Sequence, residues 1–301
     1  MAVQEWIYTV LNYFHKDGRF NRVTLGLSSK SSLILRWRFT DVVLVLILIV
    51  AYSATYYIQP FERQFYINDL TISHPFAEVE RVSNTYLFLY AVWVPGMLIS
   101  VLSLIFTKPK NKVYNTYIAL LGLGISVLST SVLTDVLKNF IGRHRPDFLS
   151  RCIPKEGTPE NVLVFAKDVC TTKNLERLRD GFRTTPSGHS SLSFAGLYYL
   201  SLWLAGQLVI TNEYVGSWRS VVSFLPSLGA ALIALSRTED YRHHFVDILI
   251  GSIIGITIGY ISYFRLFPEI SHAKSYNPIL VNNEEHDEME EVTYNRIDAE
   301  V

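Results

Sequence analysis

FRTTPSGHSS, residues 182–191, leads directly into the apolar run 190–210, SSLSFAGLYYLSLWLAGQLVI. A bilayer core of roughly 30 Å takes about 20 helical residues, so the run is long enough to span one. Just before it the chain places Pro186, Ser187, Gly188 and His189 in succession. Ser187 is a good helix N-cap. The first turn of a helix offers unpaired N–H groups and partial positive charge, which suit phosphate. Gly188 lets backbone come close to a ligand. A cap accounts for Ser187 but not for His189, which at the mouth of the helix is placed to donate a proton.

Working outward, five more segments have the length and composition of spans: about 42–58, 86–106, 113–137, 218–235 and 245–264. The expected fold is therefore all-α, an integral membrane protein of six transmembrane helices. No apolar signal segment precedes the first of them. The chain has 301 residues, 49% hydrophobic, with 27 basic and 27 acidic side chains. That balance argues against general nucleic-acid binding. Cations before the first span (Lys16, Arg19, Arg22, Lys30, Arg36, Arg38) and between the second and third (Lys108, Lys110, Lys112) place both regions in the cytosol. Residues 138–189 then face a lumen or the exterior. Both cysteines, Cys152 and Cys170, lie there. On an oxidising side they can pair as a disulfide.

The domain reading has three parts. Residues 1–40 form a cytosolic N-terminal region, in which Trp6, Ile7, Val10, Leu11 and Phe14 recur at the spacing of an interfacial helix. Residues 41–266 form the six-span unit. Residues 267–301 form an acidic cytosolic tail ending in EEHDEMEEV and beyond, expected to be disordered. The aromatic stretch after Pro60 is expected to be an ordered loop on the membrane or over the site.

Three polar clusters sit at span ends. In KNFIGRHRP, 138–146, four basic residues fall within eight positions, and Lys138 and Arg145 share a face if the helix persists. PSGH, 186–189, is the second. In SRTEDYRHHFVD, 236–247, Arg237 ends one span, while His243 and Asp247 are spaced to share a face of the next. A carboxylate beside an imidazole fixes its tautomer. His244, about 100° away on a helix, reads as a bystander. Six-span topology puts all three clusters on one membrane face. The constellation suits a phosphate and not a metal: carboxylates are too few for Mg²⁺, and no Cys/His set has zinc spacing. Lys138, Arg145 and Arg237 can supply the charge stabilisation, and of two histidines one can attack phosphorus while the other protonates the leaving oxygen. No cofactor is expected.

K-x6-RP, PSGH and SR-x5-H-x3-D together resemble the three-part signature of the type 2 phosphatidic acid phosphatases, or lipid phosphate phosphatases, whose superfamily includes the vanadium haloperoxidases. PFERQFYINDLTISHP, AKDVCTTKN, DGFRTTPSGHSS and ALSRTEDYRHHFVD resemble the fungal vacuolar diacylglycerol pyrophosphate phosphatases within it, over roughly 35–268. The resemblance implies a haloperoxidase-like core with the site at the lumenal helix ends. It implies His243 as nucleophile through a phosphohistidine, Asp247 orienting it, and His189 as general acid. Lys138, Arg145, Ser187, Gly188 and Arg237 would hold phosphate oxygens. The implied substrates are diacylglycerol pyrophosphate, phosphatidate and lysophosphatidate, without Mg²⁺, in the vacuole membrane. Other readings are a sphingoid-base phosphate or glucose 6-phosphate phosphatase of the same superfamily, or an anion transporter.

Overall fold

A computed structural model of the chain describes residues 32–287. The expected interfacial helix near the N-terminus and the end of the acidic tail, 288–301, lie outside the described residues. Packing separates residues 1–44 from 45–301. Within the first unit, Ser32–Arg36 is a short helix and Arg38 pairs with Asp41 at 3.4 Å.

Six longer helices organise the described residues. They are α1 (Phe39–Tyr56), α2 (Asn84–Phe106), α3 (Lys112–Ile141), α4 (188–207), α5 (Trp218–Glu239) and α6 (Phe245–Phe264). Among the described residues there are no strands, only the isolated bridges Phe65–Val164 and Pro154–Cys170. By length and composition α2, α3, α5 and α6 are apolar enough to cross a membrane, and α1 is a shorter apolar helix.

α4 is not in that group, and its position shows why. Its residues from His189 to Gly206 are almost all buried, packed by α3, α5 and α6. A helix walled by protein needs no lipid-facing apolar surface, so Ser, Gly and Tyr are accommodated. Tyr199 and Trp203 anchor the main core with Ile118, Leu123, Tyr263 and Phe267. α2 and α4 each contain a π-turn, Leu89–Trp93 and Phe194–Tyr198. The two turns meet where a Cβ on Gly196 would overlap the Ala91 carbonyl. Small residues let helix backbones approach in this way.

A layer of loops and short helices covers the end of the bundle formed by the C-termini of α3 and α5 and the N-termini of α4 and α6. It has its own core of Phe65, Ile72, Phe148, Cys152 and Phe182, and the Cys152–Cys170 disulfide lies at its edge. A strap, 74–82, is clamped onto it. The Phe76 ring takes the guanidinium groups of Arg177 at 3.3 Å, Arg242 at 4.1 Å and Arg151 at 4.9 Å, and the His74 ring stacks on Tyr241 at 4.5 Å.

The tail departs from expectation. Residues 267–287 are folded: Phe267 and Val281 are buried in the main core, Ser275 donates to the Gly206 carbonyl at 3.0 Å, and Lys274 pairs with Glu285 at 2.6 Å. The acidic run misled because its first charges follow a segment with enough apolar side chains to dock.

Candidate active site

α3 runs to Ile141, one turn past the expected end of the span, and so carries Lys138 within the helix. Gly142, at φ 60°, caps it in the left-handed region that a side chain resists. Arg145 is therefore not on the face of α3. A loop positions it: its N–H donates to the Gly181 carbonyl at 2.8 Å, its Nε to the Asp180 carbonyl at 2.9 Å, and its Nη2 to the Asp180 carboxylate at 2.8 Å. Asp180 also holds Arg151 at 2.9 Å. Burial works to raise the Asp180 carboxyl, but Arg145, Arg151 and Lys138 outweigh it and hold it well below the usual carboxylate range.

His144, counted among four cations in the sequence, is not one here. Its ring sits against Phe148, Phe182 and Phe65, with centroids at 4.5, 5.0 and 5.4 Å, and its Nε2 meets the Arg63 carbonyl at 3.1 Å. Burial pushes its pKa down to about 4.

Ser187 caps α4, accepting from the Ser190 N–H at 3.4 Å. It is fully buried and does not line the cavity, so it acts on the site through the helix start. Gly188 lines the cavity, and a Cβ there would stand 3.3 Å from Lys138 Nζ. His189 donates its Nε2–H to the Val82 carbonyl, 2.9 Å away. Arg237, near the end of α5, is 1% exposed. It is held by Glu80 at 2.8 Å, the Val82 carbonyl at 2.9 Å and Asp240 at 3.4 Å.

His243 and Asp247 do not share a helix face. α6 begins only at Phe245, with His244 as its N-cap, and Asp247 reaches back to the His244 N–H at 2.8 Å as a capping box. His244 is consequently no bystander: its Nδ1 is 3.2 Å from Asp247 Oδ2. Asp247 also accepts from Thr184 Oγ1 at 2.7 Å, from Thr185 Oγ1, and from Arg143 at 3.2 Å. No direct hydrogen bond joins Asp247 to His243. The nearest partner of His243 Nδ1 is Thr184 Oγ1, at 3.2 Å. Burial, then the charges of Arg145, Lys138 and Arg237, push the His243 pKa well below the usual histidine value and keep the ring neutral.

Lys138, Arg145, Gly188, His189, Arg237 and His243 thus line one cavity of about 740 Å³. Asp247 lies behind it. Among the described residues the Lys138 side chain makes no hydrogen bond, although it faces that cavity. Glu80, Asp180, Thr184 and Thr185 were missed by the sequence reading. Only Thr184 and Thr185 carried a signal, as hydroxyls directly preceding PSGH.

Residues 119–269 match the PAP2 superfamily model. The chain is 53% identical over 265 residues to diacylglycerol pyrophosphate phosphatase 1 of Saccharomyces cerevisiae, covering 88% of this chain and 91% of that protein. It is 41% identical over 229 residues to the probable diacylglycerol pyrophosphate phosphatase 1 of Schizosaccharomyces pombe, covering 74% and 81%. It is 38% identical over 239 residues to lipid phosphate phosphatase 2 of Arabidopsis thaliana, covering 77% and 78%. No solved structure matches the chain. With three motifs drawn from four helices into one cationic cavity and relatives matching along most of its length, the chain belongs to the PAP2 superfamily.

Proposed function

We propose that the chain is a membrane lipid phosphatase that removes the β-phosphate of diacylglycerol pyrophosphate to give phosphatidate, and that also dephosphorylates phosphatidate and lysophosphatidate. The observation that carries this reading is the convergence of Lys138, Arg145, Arg237, His189 and His243 on one cavity. The named activities of the yeast relatives point the same way.

The chemistry follows from the groups present. His243, neutral, attacks the terminal phosphorus through Nε2, while the bond to the bridging oxygen breaks. Lys138, Arg145, Arg237 and the start of α4 stabilise the charge on the equatorial oxygens, the task a metal performs elsewhere. His189 protonates the leaving oxygen. Its Nε2–H is given to the Val82 carbonyl, so Nδ1 is the nitrogen that takes up a proton when the anionic headgroup enters and passes it to the leaving oxygen. Water then attacks the phosphohistidine, with His189 as base, and inorganic phosphate leaves.

Two further features favour a diphosphate lipid. Arg179 and Arg183 line the same cavity, with Arg183 held at the Ile58 carbonyl at 2.7 Å, which provides cations for a second phosphate group. Ile58, Leu87, Phe88 and Leu192 line it as well, which suits acyl chains entering from the bilayer. In this reading α1 and α4 join the four clearly apolar helices as spans of a six-span domain over 41–266. The site faces the lumen of the vacuole and both termini are cytosolic.

The test is turnover of a headgroup-labelled panel by purified protein: diacylglycerol pyrophosphate, phosphatidate, lysophosphatidate, a sphingoid-base phosphate and glucose 6-phosphate, each with and without EDTA. Release of phosphate from the diphosphate lipid in preference to the sphingoid and sugar phosphates, unchanged by EDTA, is expected. Preference for either of the latter, or metal dependence, refutes the assignment.

A further inference from the structure

We infer that Thr184 is the positioning residue for His243: its hydroxyl stands between the nucleophilic imidazole and Asp247 and transmits the carboxylate's hold on the ring. The inference rests on His243 being the nucleophile.

Proton accounting fixes the direction of the two bonds. Thr184 has one proton to give, and two partners: Asp247 Oδ2 at 2.7 Å and His243 Nδ1 at 3.2 Å. An ionised carboxylate only accepts. Asp247 is in that role throughout, receiving the His244 N–H, Thr185 Oγ1 and an Arg143 guanidinium as well. If the Thr184 proton went to His243 instead, two acceptor oxygens would face each other at 2.7 Å with nothing between them. The proton therefore lies toward Asp247. The Thr184 oxygen is then left to accept, and His243 Nδ1 must carry the hydrogen. That is the tautomer whose Nε2 lone pair is free for attack. As Nε2 bonds to phosphorus, positive charge spreads over the ring, and the Nδ1–H bond to Thr184 strengthens toward the Asp247 charge behind it.

The hydroxyl is held still enough for this. Thr184 is fully buried, and its N–H donates to the Arg143 carbonyl at 3.3 Å. His243 Nδ1 has no other hydrogen-bond partner among the described residues. Removing the hydroxyl strands a buried N–H donor and frees the tautomer.

The experiment is single-turnover labelling with β-³²P diacylglycerol pyrophosphate, quenched without acid, following label on His243. Thr184→Val should slow labelling by about 10- to 100-fold, the range expected for a stranded buried donor, with KM little changed. Thr184→Ser should restore most of the rate, because it keeps the hydroxyl and loses only the methyl. Labelling of His243 at the wild-type rate in Thr184→Val overturns the inference, as does a Thr184→Ser protein as slow as the Val variant. If Thr184→Val fails to insert, Thr184→Cys takes its place: a thiol is a weak acceptor, so labelling must still slow, and an undiminished rate overturns the inference. Wild-type label on a residue other than His243 overturns the nucleophile assignment and this inference with it.

Discussion

His144 offers a quantitative test of the layer that positions Arg145. The ring is 9% exposed and enclosed by three phenylalanines. Its folded pKa is about 4, against an ordinary 6.5. The folded state thus resists protonation while the unfolded chain accepts it. Stability from this group is complete above the unfolded pKa and is lost as pH falls through the window between the two values. Linkage puts the loss at about 2 kcal/mol between pH 8 and pH 5. In a His144→Phe variant the ring contacts are kept and the titration is gone. The lost bond to the Arg63 carbonyl adds a penalty that does not vary with pH. The measurable quantity is therefore the difference in stability between wild type and variant, followed from pH 8 to 5 by tryptophan fluorescence during thermal unfolding in micelles. That difference should shift in favour of the variant by about 2 kcal/mol, or about 4–8 °C in Tm for a unit of this size. Parallel pH profiles for the two proteins would show that His144 titrates normally and that its burial among the phenylalanines is wrong.

His243→Ala and His189→Ala should each abolish phosphate release while the protein inserts normally, checked by radiolabelled turnover and protease protection. His244→Ala should keep measurable activity yet lower stability by about 1 kcal/mol, the value of one lost side-chain hydrogen bond, because its Nδ1 lies 3.2 Å from Asp247 Oδ2 while the backbone N–H that Asp247 caps is kept. Gly188→Ala should raise KM more than it lowers kcat, since the added Cβ stands 3.3 Å from Lys138 Nζ where phosphate oxygens are expected; steady-state kinetics decides. Cys152→Ser should cost about 3 kcal/mol, the chain-entropy value for a loop of this length, because the disulfide spans a separation of 18 residues; chemical unfolding with and without reductant measures it.

What was legible in the sequence followed local rules. Long apolar runs marked α2, α3, α5 and α6, and Ser187 and Gly188 marked the start of α4. The cations and histidines at the helix ends were visible because polar groups there stand out against apolar neighbours. Other features depended on contacts distant in sequence. Asp180 meets Arg145 and Arg151, and Glu80 meets Arg237 and Arg242, only after loops fold over the bundle. The spacing of His243 and Asp247 resembled one helix turn, but a capping box places the helix start between them. His144 looked basic among arginines until the aromatic residues around it, brought from 65, 148 and 182, were in view.

The π-turn at Phe194–Tyr198 has a consequence for how this protein can change over evolutionary time. A π-turn holds one residue more than the α-helix it interrupts. Deleting a single residue there would tighten the screw and swing 188–193 by about 100° relative to the rest of α4. His189 would turn away from the cavity it lines with Lys138, Arg237 and His243, although none of those side chains had been altered. The matching turn in α2, seated against Gly196, would lose its partner in the same event. Indels in the middle of these two helices should therefore be rarer than in the loops, and where one has occurred in α4, a compensating change of length is expected in α2.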